Sequence, residues 1–457
     1  MTRVVRWLRE LPPFTILAIG WLVFFVHAYP GLMTRDSFDQ LRQARTGVFL
    51  DDHPPLMQAI VWVTDRLVAG PIGVVILQSL LFLAGAYLLL RRAMRDRIAA
   101  LVAVALLLFP PVVAVLVVMW KDPMMAGALM LATALIPSPR KGVRLWGLAL
   151  VLVATGVRFN ALAATFTIVV LLFEWSVPQG TKWRRRLARY GLALGVWIAV
   201  TAAAFGVNTL LTDRETHFVE TTLVDDIIGT LNFVDGERPD AELREVLRDM
   251  HLRPDKDIHA ALRRAYRSDT MLWYVIGDSR VFDLPLADIE PLSVAQRARI
   301  VDAWKTIVFG NPGAYLRYRI DRFRVVVGLT RAGEKTWDEP LIVTHDYQDK
   351  ATIWTYGVST TTSSLQARVD RTLVYLSHTW LFRPYIYLFL TLALLAFSLR
   401  NALAAALLLS GLGIEMSLFF LAHSADYRYS HWMICTTILA GILVFADRLR
   451  GNPQRAS

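Results

Sequence analysis

The sequence predicts an all-α polytopic membrane protein with about ten transmembrane helices and an extracytoplasmic, helix-rich globular domain. Of its 457 residues, 55% are hydrophobic and the mean hydropathy is +0.42, a composition typical of a chain folded in a bilayer. Several apolar runs reach the roughly 17–25 residues that a helix needs to cross the hydrocarbon core. The net charge of +11 comes mainly from short basic clusters beside those runs, which indicates cytoplasmic loops and argues against a nucleic-acid partner.

The first apolar run is interpreted as a retained anchor, not as a signal peptide. It follows three arginines, is long for a signal sequence, and no small-residue cleavage site follows it. The protein is predicted to lie in a bacterial inner membrane, with both termini on the cytoplasmic side. The predicted spans are about 13–30, 71–91, 98–117, 123–138, 143–157, 160–175, 190–210, 384–400, 401–421 and 430–448.

The segment 55–70 decides the topology. It is apolar, but it has only 16 residues, is interrupted by Asp65 and Arg66, and is bounded by proline and glycine. If it crossed the membrane, the arginine-rich stretch 91–97 would lie outside. We therefore predict an amphipathic helix on the outer interface, which puts every later basic cluster inside.

This topology divides the chain into three parts. Residues 1–210 form an N-terminal transmembrane module with a first external loop at 31–70, and residues 384–457 contain the last spans. Between them, 211–383 carries mixed charge without a span-length apolar run, which predicts the extracytoplasmic domain. The single cysteine, Cys435, lies in an apolar run, so no intramolecular disulfide is possible.

The first external loop contains the acidic stretch TRDSFDQLRQARTGVFLDDHPPL at a membrane edge. Asp36 and Asp39 are three residues apart and share a face if the loop is helical. These carboxylates can be solvated loop charges. Alternatively, Asp36 can act as a general base that takes a proton from an acceptor hydroxyl as its oxygen attacks.

The DDHPP step allows three interpretations. Asp51, Asp52 and His53 can contact substrate. Asp52 and His53 can ligate a divalent cation, although adjacent aspartates do not easily ligate one ion together. Asp52 can also cap the helix that starts at the two prolines. We predict no cofactor, with a divalent metal as the weaker alternative.

Two short external loops carry charges at the membrane edge. Lys121 and Asp122, in WKDP, either neutralise each other or bind a phosphate, with Asp122 as orienting partner or acceptor contact. Arg158, in VRFN, has almost no polar loop around it, and an arginine near hydrocarbon needs a partner. Its planar fork of donors suits phosphate. Asn160 can bind a sugar hydroxyl or cap the next helix.

Two further basic stretches lie on the predicted outer side. In DYRY, Arg428 beside Tyr429 indicates an anion and headgroup contact, or an Asp426–Arg428 pair flanked by interfacial tyrosines. The stretch YLRYRIDRFR (315–324) is predicted to be a basic amphipathic helix on anionic headgroups. The sequence has no phosphate-cradling glycine loop, nucleophile elbow or HExxH motif, so an ATP-driven or hydrolytic enzyme has no motif support.

In this order, the motifs resemble the GT-C superfamily of integral-membrane glycosyltransferases. The resemblance covers about 13–175: a first span, RDSFDQ, DDHPPL opening an interfacial helix, a span ending in arginines, WKD and RFN. Protein mannosyltransferases and the lipid A aminoarabinose transferase are similar in the first-loop aspartate and an HPPL-like or PPL-like step. The second acid of the oligosaccharyltransferase-type metal site is not identifiable here.

The resemblance implies an inverting transfer of a sugar from a polyprenyl-phosphate donor to a cell-envelope glycan or lipid acceptor. Asp36 would occupy the place of the catalytic base, and Lys121, Arg158 and Arg428 would hold the donor phosphate. The implied partners are that donor, that acceptor and membrane lipids. The remaining candidates for donor or acceptor contacts are Asp39, Asp51, Asp52, His53, Asp122, Asn160 and Tyr429.

The competing hypothesis is a transporter or flippase of an anionic lipid-linked saccharide. Such proteins place charges within spans and are often built from inverted repeats. Here the charges cluster in loops on one predicted side and no repeat is evident, which favours chemistry at the outer surface.

Overall fold

The structure, a computed structural model, describes residues 11–173, 183–216, 218–236, 239–247, 257–268, 292–329, 363–398 and 401–450. Within these ranges the secondary structure is helical. The strand-like pairings there are two isolated parallel bridges, Leu32 with Val118 and Leu50 with Arg214. The all-α prediction is confirmed.

The N-terminal part alternates long apolar helices with short polar ones. Helix α2 starts with a capping box between Thr34 and Ser37 and ends at Gly47, whose φ of 70° favours glycine. The helices are α1 (Pro13–Ala28), α2 (Arg35–Thr46), α3 (Pro55–Leu67), α4 (Ile72–Leu90), α5 (Asp96–Leu107), α6 (Pro110–Leu116), α7 (Lys121–Leu135), α8 (Lys141–Val157), α9 (Leu162–Val170) and α10 (Trp183–Leu211).

The C-terminal part continues with shorter amphipathic helices and then three apolar ones. Single 3-10 turns precede α9, α17 and α19 at Phe159–Ala161, Trp380–Phe382 and Tyr427–Ser430. The helices are α11 (Phe218–Asn232), α12 (Asp240–Val246), α13 (Ile258–Ala265), α14 (Val294–Gly310), α15 (Pro312–Val326), α16 (Ser364–Ser377), α17 (Pro384–Ser398), α18 (Ala402–Leu421) and α19 (His431–Arg450).

Four helical segments of the described chain are long and apolar enough to cross a membrane, which indicates membrane association. They are Ile72–Leu90, Leu187–Leu211, Ala402–Leu421 and Tyr427–Leu449. The described helices α1 and α17, and the helical stretch Phe159–Phe173, are apolar but shorter. Helix α3 has 13 residues, or about 20 Å of helix, which is less than the hydrocarbon thickness.

The predicted span at 98–117 differs from the structure, because it is two helices. Helices α5 and α6 are bent by 66° at a short break. Proline has no N–H and pushes the residue before it out of the helical region, and Phe109, before Pro110, has an extended ψ of 128°. The two prolines at 110 and 111 therefore end one helix and start the next.

The described residues form three hydrophobic clusters, the smallest of which joins the end of α15 to the end of α18. The largest one joins α1–α9 with α16–α19, and within it α4 and α7 approach closely, so that a Cβ on Gly85 or Gly127 would meet the facing backbone. Such small residues let helix backbones touch in a membrane bundle. The second cluster is formed by α11–α14 and includes Val224, Ile228 and Ile300. Helices α11–α14 thus enclose a core of their own.

The prediction of a headgroup-binding helix at 315–324 is wrong for its two central arginines. Arg319 and Arg322 of α15 are buried and pair with Asp226 and Asp225 of α11. Arg319 also donates to the carbonyl of residue 422 at 3.1 Å, and Arg322 to that of residue 423 at 2.6 Å. The spacing of the arginines could not reveal this pairing, because the acids that neutralise them lie more than 90 residues earlier in the sequence.

Candidate functional site

Polar side chains from five separate segments meet at one end of the helical bundle. They come from the start of α2, the loop before α3, the first turn of α7, the end of α8 and the turn before α19. The members are Asp36, His53, Lys121, Asp122, Arg158, Asn160, Asp426, Arg428 and Tyr429, called here the polar cluster.

Arg428 lies at the centre of the polar cluster. Its Nη2 donates to Asp36 Oδ2 at 2.6 Å, and its Nε lies 2.7 Å from Asp426 Oδ2 and 3.8 Å from Asp122 Oδ2. The guanidinium also lies over the ring of Trp120, 4.5 Å from the centroid, where a cation is attracted to the aromatic face. Arg428 therefore joins three carboxylates, one of which is the predicted base.

Arg158 is held by a second set of partners. It pairs with Asp122, and both side chains are buried. Its Nε donates to Asn160 Oδ1 at 2.7 Å, and the amide of Asn160 donates to Ser417 Oγ at 3.0 Å. The buried arginine thus has the partner that its position demands. The alternative in which Lys121 neutralises Asp122 is not what the structure contains.

Lys121 contacts an imidazole instead of a carboxylate. Its Nζ lies 3.4 Å from His53 Nδ1, and in the described part of the chain it forms no ion pair with an acid. Because an ammonium group can only donate, Nδ1 accepts and the proton of a neutral imidazole lies on Nε2. Burial and the neighbouring Lys121 charge lower the pKa of His53, which agrees with the neutral form.

Asp36 is an anion at neutral pH. Burial by itself would raise the pKa of Asp36, but the charges of Arg428 and Lys121 outweigh it, so the pKa lies below its usual range. About a third of the side chain, 32%, is exposed. A partly exposed carboxylate of this kind can accept a hydrogen bond from an incoming hydroxyl group.

The polar cluster has an accessible layer and a buried one. Asp36, His53 and Lys121 are partly exposed, as are Asn160 and Tyr429. A ligand that approached this end of the bundle would meet the accessible layer first, and the buried charges hold that layer in place. The buried members are Asp122, Arg158, Asp426 and Arg428.

The segment 116–120, which delivers Lys121, is fixed by hydrogen bonds on several sides. It forms the parallel bridge with Leu32. Gln78 Nε2 donates to two of its carbonyls, at 2.7 and 2.8 Å, and Ser37 Oγ donates to a third at 2.8 Å. Helices α2 and α4 therefore determine where α7 begins.

Three of the predicted acids lie outside the polar cluster. Asp39 pairs with Arg42 at 3.4 Å on α2. Asp51 accepts from the hydroxyl of Thr216 at 2.7 Å, which ties the first loop to the chain after α10. Asp52 accepts from the side chain of residue 43 at 3.1 Å and from the N–H of residue 53 at 2.8 Å.

The capping interpretation of Asp52 is wrong. Helix α3 starts at Pro55 with Pro54 at its N-cap, and no side chain caps it, because Asp52 lies two residues too early. For the metal alternative at Asp52 and His53, the described residues contain no group of three or more histidine, cysteine, aspartate and glutamate side chains placed to hold an ion.

Two residues of this end were not identified from the sequence as site residues. Trp120 is buried, lies under Arg428, and donates from Nε1 to Thr34 Oγ1 at 2.8 Å. Glu415 is fully buried in α18 and accepts from Ser430 Oγ at 2.9 Å. A signal existed for Glu415, since an acid within an apolar run is rare and usually functional.

No family model matches this chain, and comparisons with curated proteins and with solved structures also find no match. The functional assignment therefore depends on the chemistry of the polar cluster.

Proposed function

We propose that this protein is a membrane glycosyltransferase that transfers a sugar from a polyprenyl-phosphate donor to an extracytoplasmic glycan or lipid acceptor. The observation that carries the proposal is the meeting of Asp36 with Lys121 and Arg428. A carboxylate that can accept a proton lies beside cations that can stabilise a departing phosphate, which are the two requirements of this transfer.

The proposal includes about ten transmembrane helices in a bacterial inner membrane. Both termini lie on its cytoplasmic side, and residues 211–383 lie outside the cytoplasm. Residues 121, 158 and 428 are at one end of helices α7, α8 and α18–α19, and residues 136, 144 and 403 are near the other. These helices have 15 to 20 residues, or about 22–30 Å, which approaches one hydrocarbon thickness. Alternation of this kind supports the topology predicted from charge.

The charge balance of the polar cluster indicates which cation is available to bind the donor phosphate. Asp36, Asp122 and Asp426 balance Lys121, Arg158 and Arg428, and both arginines already have carboxylate partners. Lys121 is the cation with capacity to spare. The donor phosphate therefore binds Lys121 first, and the buried Arg158 acts by holding Asp122 and Asn160.

The reaction proceeds by a single in-line attack. The acceptor hydroxyl donates a hydrogen bond to the Asp36 carboxylate. Its oxygen attacks the anomeric carbon as the bond from that carbon to the phosphate oxygen breaks. The hydroxyl proton passes to Asp36, and polyprenyl phosphate leaves with its electron pair. The configuration of the anomeric carbon is inverted.

Donor binding also changes the basicity of Asp36. A carboxylate paired with arginine is a weak base, because the guanidinium stabilises its anionic form. A phosphate bound beside Lys121 adds a negative charge near Asp36, and that charge disfavours the anionic form of the carboxylate. Asp36 then becomes more basic when donor is present, which couples proton removal to donor binding.

A transporter or flippase remains the second candidate, and two observations favour it. The span at 96–116 is broken, as in many transporters, and Glu415 is buried within an apolar helix. Against it, the charges of the polar cluster lie at helix ends. Sugar transfer in a sealed system without net movement of donor across the bilayer separates the two functions.

The test uses purified protein in proteoliposomes with a panel of labelled polyprenyl-phosphate sugars, and it measures sugar transfer and released polyprenyl phosphate. We expect Asp36→Asn to lower the rate about 10²–10⁴-fold, the usual contribution of a general base. The control is Asp302→Asn, which makes the same change at an acid that is 75% exposed on α14. If folded Asp36→Asn works at the wild-type rate, Asp36 is not the base.

A further inference from the structure

A cavity of about 480 Å³ lies at the end of the bundle opposite the polar cluster. It is formed where α4 and α7 end, where α8 and α18 begin, and beside the 3-10 turn Leu171–Phe173 that follows α9. About 22–30 Å of helix separates it from the polar cluster, so it is a different site. Its walls include Arg92, Ile136, Ser138, Arg144, Leu171 and Leu403.

Two guanidinium groups provide the positive charge of this cavity. Arg92 follows α4, and its Nη2 donates to the carbonyl of Ala134 at 2.7 Å, which fixes the guanidinium at the end of α7. Arg144, in the first turn of α8, is half-buried, and within the described chain it forms no ion pair with a carboxylate. Planar guanidinium groups bind phosphate oxygens with paired donors.

Apart from the two arginines and Ser138, the residues that line the cavity are apolar, and an apolar surface lies beside it. Ile136, Leu171 and Leu403 line it. Next to Arg144 in sequence, Leu145 is 65% exposed and Trp146 is 71% exposed, as expected for residues that face lipid near an interface. A site for a free inorganic anion would be polar throughout, whereas this one combines cations with hydrocarbon.

We propose that this cavity binds the headgroup phosphate of an anionic phospholipid. Arg92 and Arg144 hold the phosphate oxygens, and the acyl chains follow the apolar wall towards Leu145 and Trp146. Basic pockets between transmembrane helices on the cytoplasmic side are suited to such headgroups. A bound lipid would hold the inner ends of α4, α7, α8 and α18 together, independently of the chemistry at the polar cluster.

The experiment measures ligand binding to the full-length protein in neutral detergent, by native mass spectrometry and by the shift in apparent melting temperature. The ligands are phosphatidylglycerol, phosphatidylcholine with the same acyl chains, and inorganic phosphate. We expect phosphatidylglycerol to bind at least tenfold more tightly than phosphatidylcholine. Arg144→Gln should weaken that binding about tenfold, which is the loss of one charge-assisted hydrogen bond.

The control is Arg140→Gln, which removes an exposed cation four residues earlier that does not line the cavity, and it should change binding less than twofold. Arg144→Lys keeps the charge without the fork and should give an intermediate loss, which also covers misfolding of the glutamine variant. Equal losses in the 140 and 144 variants, equal binding of the two lipids, or equally tight inorganic phosphate would each overturn the proposal.

Discussion

Lys121 differs from the other cations of the polar cluster in its partner. Arg158 and Arg428 are buried against carboxylates, whereas Lys121 is partly exposed and contacts a neutral imidazole. An anion that approaches this end of the bundle gains most from the cation that is not already neutralised. The sequence placed these three cations in one group, and their partners distinguish them.

Replacement of this lysine tests the phosphate contact directly. We expect Lys121→Met to weaken binding of polyprenyl phosphate about 10–100-fold, because a charge-assisted hydrogen bond is lost, while Lys121→Arg retains most of the affinity. The matched control is Lys305→Met, which removes a lysine that is 56% exposed on α14. Binding is measured by native mass spectrometry. Unchanged affinity in Lys121→Met would move the phosphate to another position.

Single residues of the polar cluster could be predicted where chemistry and side of the membrane coincided. Asp36, Lys121, Arg158 and Arg428 were each selected as charges at an external membrane edge, and the structure brings them together. Asp51 was selected for the same reason but bonds Thr216, 165 residues later. No local pattern reveals such a partner, so its role was out of reach of the sequence.

At the scale of elements, α15 links the second core to the turn before α19. Arg322 pairs with Asp225 of α11 and donates to the carbonyl of His423, five residues before Arg428. Tyr318 Oη also donates to Asp225, at 3.0 Å. The position of the turn that carries Arg428 therefore depends on helices that contribute no side chain to the polar cluster.

This junction predicts a loss of stability in acid. Burial alone would raise the pKa of Asp225, but Arg322 outweighs it and lowers the pKa to about 2. Because the folded value lies below the ordinary 3.8, the pair stabilises the fold above about pH 4, and this stability is lost as the pH falls towards 2. The difference corresponds to about 2 kcal/mol.

The measurement is the apparent melting temperature of the full-length protein in detergent between pH 5 and 2.5. The wild type should lose stability over this range. The double variant Asp225→Asn/Arg322→Gln, which removes both charges, should depend less on pH. Asp302→Asn is the control, since its carboxylate is exposed. Identical slopes in wild type and double variant would contradict the assignment.

Most of the helices could be placed from the sequence, because apolar length is a strong signal. The predicted spans 71–91 and 401–421 correspond to α4 at 72–90 and α18 at 402–421. The break at Phe109 was missed, although two prolines marked it, because the run is apolar on both sides of the break. An average of hydropathy along the sequence reports how apolar a segment is, and it contains no information on where the backbone bends.

At the scale of the whole molecule, the two ends of the bundle have opposite chemistry. One end carries the balanced charges of the polar cluster, and the other has exposed arginines and the cavity lined by Arg92 and Arg144. The predicted orientation assigns the end with the exposed arginines to the cytoplasm, because basic loops tend to remain on the cytoplasmic side.

Site-directed labelling tests this orientation. In a Cys435→Ser background, we expect Arg95→Cys to resist a membrane-impermeant maleimide in intact cells and to react after permeabilisation. Lys305→Cys, at an exposed position on α14, should react in intact cells. Reaction of the residue-95 variant from outside would show that 55–70 crosses the bilayer, because the connection between α4 and α5 would then be external.

The hydrogen bonds that fix segment 116–120 have a consequence for how this protein tolerates change. Gln78 and Ser37 donate hydrogen bonds to carbonyls of that segment, and Leu32 forms a parallel backbone bridge with it. The number of residues between the broken span and α7 is therefore fixed by these hydrogen bonds. A substitution can keep that length, but one inserted or deleted residue would shift the register and rotate Lys121 about 100° around its helix axis.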